Sequence, residues 1–151
     1  MASSVTIIGD TKFKKKLTVF SANLANSKVA LKRVGEMLLD NYQQNFKTEG
    51  STLNSPWKPL SASIQIAKIQ SGFGSKGILE RTGKLKNSIK MLKLNKYLLE
   101  IGSENNYFRY HQSSAARNKL PRRKMIDITF KLQKKTMAIL REHFVIPLIK
   151  L

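Results

Sequence analysis

Apolar positions along the chain fall into helical and strand-like runs separated by polar breaks. Near the start, Val5, Ile7 and Ile8, closed by Gly9 and Asp10, predict a short strand and turn. Phe13, Leu17, Phe20 and Leu24 then recur at i, i+4, i+7 and i+11, which puts them on one stripe of a helix. Asn23 and Asn26 interrupt that run, and Ser27 is suited to cap a new start. Leu31, Val34, Leu38, Tyr42 and Phe46 then predict a longer amphipathic helix reaching about Lys47. A polar loop over residues 48–56 follows, and after it a short helix, capped by Ser61, that carries Ile64, Ala67 and Lys68. Residues 71–77 hold three glycines and read as a flexible linker.

The runs Ser88 to Leu94 and Tyr97 to Ile101 flank Asn95-Lys96 and predict an antiparallel hairpin with a tight turn. Residues 113–124 form a polar, basic loop before a last helix whose stripe is Phe130, Met137, Leu140 and Phe144, stopped near Pro147. The fold class expected is α+β, a small antiparallel sheet packed against long N-terminal and C-terminal amphipathic helices, in one domain over residues 1–151. Phe13, Leu17, Leu31, Val34, Leu38, Phe130, Met137 and Leu140 are expected to share one core.

Charge changes the picture. Lys and Arg number 28 against 9 Asp and Glu, a formal net charge of +19. Residues 1–75 hold 10 bases and 4 acids, while residues 76–151 hold 18 and 5, so most of the field arises in the second half. Such a field speeds encounters with DNA, RNA, anionic lipid or acidic protein without choosing among them. A generally solvated basic surface is the plainer reading. Cysteine is absent, which excludes disulfides and thiolate zinc sites. No apolar run approaches the roughly 20 residues that cross a bilayer, and the N-terminus lacks a secretory pattern, so no membrane contact and assembly in a reducing cytoplasm are expected.

Catalytic chemistry is poorly supplied. His111 and His143 each stand without a carboxylate or second histidine at ligand spacing, and Glu80, Glu100 and Glu104 form no tight magnesium motif. The glycines around Lys76 fail as a phosphate loop, because Lys76 is followed by Gly77 where a Ser or Thr is required. No catalytic, cofactor-binding or metal-binding residue is therefore assigned, and a non-enzymatic protein without cofactor or small-molecule substrate is expected. Lys84, Lys86, Lys90, Lys93 and Lys96, with Arg117, Lys119, Arg122, Arg123 and Lys124, offer phosphate contacts but no base-reading motif. A sequence-neutral nucleic-acid-binding protein is accordingly the alternative reading.

Four blocks in order carry a resemblance. An amphipathic helix ending at Phe46 leads to Trp57-Lys58-Pro59-Leu60, and Ile78-Leu79-Glu80-Arg81-Thr82-Gly83-Lys84-Leu85-Lys86-Asn87-Ser88-Ile89 follows. Next come Ile101-Gly102-Ser103 with Tyr107 and His111-Gln112, then Leu120-Pro121-Arg122-Arg123 before the last helix. With this order and spacing the chain resembles the phage virion morphogenesis family, which includes the Mu-type tail completion proteins, over roughly residues 5 to 145. It departs from the pattern at Ser113-Ser114, where a glycine is usual, and at Met125, where phenylalanine is usual.

The resemblance implies a structural protein of a tailed bacteriophage virion, acting in head–tail joining or tail completion at the neck or tail top. It implies a homo-oligomeric ring, of about six subunits by analogy with tail symmetry, whose partners are neck, connector and tail proteins. Non-specific contact with DNA in the channel is a further expectation. The candidate interface residues are Trp57, Pro59, Leu60, Arg81, Tyr107, His111, Arg117, Lys119, Arg122, Arg123 and Lys124. Each block also has a plain reading: Trp57 with Pro59 and Leu60 either caps the core or meets a neighbour, Thr82 caps a helix, and Tyr107 and His111 pack locally. Arg122 and Arg123, on a loop stiffened by Pro121, are the stronger candidates for presenting guanidinium groups to an anionic partner.

Overall fold

A computed structural model describes residues 11–114 and 120–150, so the strand expected at Val5, Ile7 and Ile8 lies outside the described residues. Two consecutive helices, α1 (Thr11–Ala25) and α2 (Ser27–Lys47), are broken at Asn26. Ser27 does not cap α2. Its hydroxyl instead donates to the carbonyl of Lys96 at 2.6 Å and ties the start of the helix to a distant turn. The stripe read for α2 is realised: Val34, Leu38, Tyr42 and Phe46 are buried, and Leu31 is half-buried.

A 3-10 turn (Ser51–Leu53) leads to α3 (Ala62–Gln70), the short α4 (Lys84–Asn87) and the strands β1 (Ile89–Leu94) and β2 (Leu99–Ser103). The strands pair antiparallel, Ile89 opposite Ser103 and Leu94 opposite Leu99, with an irregularity between Met91 and Lys93. The turn between them spans Asn95–Leu98, longer than the two residues expected. Asn95 explains it, because its Oδ1 accepts the backbone N–H groups of Tyr97 and Leu98, both at 2.8 Å, and does the work a turn glycine would. Helix α2 approaches β1 closely at Gly35, where a Cβ would stand 2.5 Å from Met91 Sδ.

Helix α5 (Asn106–Gln112) was not expected; Asn105 caps it by accepting from Tyr107 N. The last helix, α6 (Phe130–Phe144), is capped by Thr129 and followed by α7 (Ile146–Ile149), which forms beyond the expected stop because Pro147 sits in its first turn, where no N–H is needed. The fold is α+β, and its core joins the α2 stripe to Leu53, Trp57, Ile78, Ile89, Met125 and Leu132.

The core differs from the expected one in its outer helices. Phe13, Leu17, Phe130 and Met137 are 58%, 50%, 70% and 64% exposed. On α6 the residues turned inward are Leu132, Thr136, Ile139, Leu140, His143 and Phe144, which also follow helical spacing. On α1 the least exposed residues are Lys16, Val19 and Asn23, and the apolar stripe lies roughly a quarter-turn away. On α6 two apolar faces overlap at Leu140 and Phe144, and packing against α2 selects the one with Leu132 and Ile139, while α1 packs on α6, α7 and α2 and leaves its apolar stripe outside. His143 joins the two helices: its Nε2 lies 3.0 Å from the carbonyl of Asn23, which can only accept, so this nitrogen bears the proton.

Candidate functional site

Three of the four resembling blocks meet in one buried knot. Trp57, buried, donates its indole N–H to the carbonyl of Lys124 at 2.9 Å, and Asn45 Nδ2 donates to the same oxygen at 3.0 Å. The Trp57 ring stands edge-on to Phe46, centroids 5.3 Å apart. Arg123 Nη2 donates to the carbonyl of Lys58 at 2.8 Å. Gln112 grips the same segment from the other side, its Oε1 accepting from Met125 N at 2.9 Å and its Nε2 donating to the Ile126 carbonyl. A segment with no regular structure is thereby held by side chains from α2, α5 and the tryptophan loop. The second block reaches the core through Ile78 and Ile89, and Ile78 N donates to Glu49 Oε1 at 2.9 Å.

Arg123 is the main correction. Expected on a presented loop, it is 4% exposed, and its Nε has no partner among the described residues. Burial pushes its pKa down, opposed by the nearby Glu49 carboxylate. Lys124 also turns toward the protein, donating to Asp127 at 2.6 Å, and that bond holds the Asp127 carboxyl below the usual carboxylate range. Arg122 stays exposed, with Nε 3.2 Å from the Gln112 carbonyl. Arg117 and Lys119 lie outside the described residues.

Leu60, Arg81, Tyr107 and His111, far apart in sequence, line one open cleft of about 730 Å³ between α3, the α4 approach and α5. Its charged lining residues are Lys68, Arg81 and Lys84, with no Asp or Glu among them. Phe73 lies under the Arg81 guanidinium, 5.2 Å from the ring centroid. The loop over residues 71–77 forms one wall and is bound back to α3, because Lys68 Nζ donates to the carbonyls of Lys76 and Gly77, and Phe73 N donates to the Lys68 carbonyl. Gly83, at φ +74°, starts α4 on the same rim. Pro59 is exposed beside the cleft in a smaller depression with Leu60.

The sequence reading missed Asn45, Glu49 and Gln112 as structural residues. Nothing local marks a polar side chain whose partner lies tens of residues away. It also missed that the stripe of α1, and Phe130 and Met137 of the α6 stripe, stay open. Among the described residues, no group of three or more His, Asp or Glu stands close enough to hold a metal ion. No described helix is long and apolar enough to cross a membrane.

Motif residues that lock the chain on itself, a cationic cleft and uncovered apolar helix faces define the class, a basic α+β protein. Comparison with known families completes the assignment. The chain matches the phage virion morphogenesis family over residues 8–145 and belongs to that family. It is a bacteriophage protein of virion assembly. Neither a curated protein nor a solved structure matches it.

Proposed function

We propose that this chain is a subunit of a homo-oligomeric ring at the neck or tail top, acting without catalysis in head–tail joining or tail completion. The family match carries the virion role. The observation that supports a contact function is the number of large apolar side chains left half or more exposed, among them Phe13, Leu17, Leu24, Ile64, Ile69, Phe130 and Met137. A monomer carrying +19 formal charge has no reason to display such stripes unless neighbours cover them. The cationic cleft with Arg81, Tyr107 and His111, together with exposed Arg122, is the surface that would face acidic neck proteins or DNA in the channel.

Particles made without the chain test the reading. Mutant phage lacking it are expected to yield full heads and separate tails, or tails with an unfinished end, with the protein located at the neck of wild-type virions by labelled antibody. Normal infectious particles from the mutant would overturn it. The sequence-neutral nucleic-acid-binding alternative rests on the same charge. It requires tight DNA binding by the isolated chain with a steep salt slope, whereas the ring reading expects weak affinity at physiological salt.

A further inference from the structure

The grooves of this protein differ in charge. Leu99, Ile101 and Met137 border a groove of about 820 Å³ between α2, β2 and α6, whose floor is formed by the buried Val34, Leu38 and Tyr42. Its charged lining residues are Glu100 and Asp127, with no Lys or Arg among them. That is unusual for a chain with 28 bases and 9 acids. Lys93 and Lys124 stand outside the lining and pair with the two carboxylates at 3.1 and 2.6 Å. The exposed Lys93–Glu100 pair is weak and leaves Glu100 open to a further cation, whereas Asp127 is held by Lys124 and by the backbone N–H of Ile128.

Helix α1 has the opposite character. It buries no residue, carries Lys12, Lys14, Lys15 and Lys16 without an acid, and shows Phe13, Leu17, Phe20 and Leu24 at 42–58% exposure. A 15-residue helix is marginal in water on propensity alone, and its packing on α6, α7 and α2 leaves the apolar stripe uncovered. The groove floor from Val34 to Tyr42 is about 12 Å long, and Leu17 to Leu24 spans about 10 Å, at 1.5 Å per residue.

We infer that α1 of one subunit docks its apolar stripe into the α2–β2–α6 groove of the next copy, with the lysines of α1 toward the rim carboxylate Glu100. The occupant is a second copy of this chain because charge and length match within one sequence. A contact between two different patches is head-to-tail, and it closes into a ring when the rotation per subunit permits. The inference rests on the homo-oligomeric reading above and adds which faces meet. The net charge opposes association at low salt, but beyond about 8 Å it is screened at physiological ionic strength.

The chain has no native cysteine, which makes cross-linking decisive. Two full-length single variants, Leu17→Cys and Met137→Cys, both at exposed positions, are mixed under mild oxidation at physiological salt. The mixed disulfide is expected to form on the order of 10²-fold faster than either self-pairing, because docked thiols react at millimolar effective concentration. Phe20→Glu and Glu100→Lys, each checked for unchanged helicity by circular dichroism, are expected to lower the oligomer's association constant roughly tenfold or more. Dominant Leu17→Cys self-pairing, a purified chain that stays monomeric at tens of micromolar, or an oligomer indifferent to Phe20→Glu would each overturn the inference. Any of these outcomes leaves the neck assignment standing, since that is decided on particles and not on the purified chain.

Discussion

The indole N–H of Trp57 donates to the carbonyl oxygen of Lys124, 67 residues further along, at 2.9 Å. This bond joins the tryptophan loop to the basic segment before the last helix, and Asn45 shares the acceptor. Trp57→Phe keeps a ring against Phe46 and leaves the carbonyl satisfied by Asn45, so a loss of about 1 kcal/mol is expected. Trp57→Ala also opens a cavity and is expected to cost about 3–5 kcal/mol. Urea unfolding of both variants checks the ordering; equal losses would show that the hydrogen bond, and not the ring, dominates.

Adjacent arginines are expected to behave differently. Arg122 is exposed, and Arg122→Ala should change stability by no more than about 0.5 kcal/mol. Arg123 is buried and donates to the Lys58 carbonyl, so Arg123→Ala removes packing and leaves that carbonyl short of a partner, for an expected loss of about 1–3 kcal/mol. Thermal melts of the two single variants decide this. A stable Arg123→Ala chain would return that residue to the surface role first read for it.

Gly50 stands at φ +95°, and a Cβ there would run into the Ser55 carbonyl oxygen and the Trp57 indole. Backbone strain and steric conflict act together, so Gly50→Ala is expected to destabilise by more than about 2 kcal/mol. Gly72, at φ +76°, has open space around it. Gly72→Ala should therefore show the strain alone, about 1 kcal/mol, and a chemical-denaturation comparison of the two separates strain from collision.

Burial, and secondarily the Asp127 carboxylate, raise the Tyr42 pKa from 10.0 to about 12. Because the folded value lies above the unfolded one, this contribution is fully present below pH 10 and is lost as pH rises toward 12. The two-unit difference corresponds to roughly 3 kcal/mol. Stability measured from pH 9 to 12 should fall less steeply in Tyr42→Phe, and the phenolate absorbance of the wild type should show one of its four tyrosines ionising last. Asp127→Asn should bring that late step to lower pH; an unmoved step would exclude the electrostatic coupling.

Local pattern alone determined a good part of this protein. The stripe from Leu31 to Phe46 and the hairpin runs about Asn95 were legible because each is set by contacts within a few residues, where side-chain period and turn chemistry leave little choice. Family membership was legible too, since it rests on order and spacing of short blocks. What those blocks do was not. Trp57, Gln112 and Arg123 read as surface candidates or bare motif letters, and only the folded chain shows them bonded across 13 to 67 residues. The four scattered residues Leu60, Arg81, Tyr107 and His111 become neighbours only when α3 and α5 are placed. On α6 the period is satisfied by two faces at once, so sequence identifies the helix but not its rotation, and on α1 the stripe gives no sign that it stays outside. Tertiary structure chose that rotation by packing α6 against α2 through Leu132, Ile139 and Leu140 and α1 beside α6, which left Phe13, Leu17, Phe130 and Met137 to the outside.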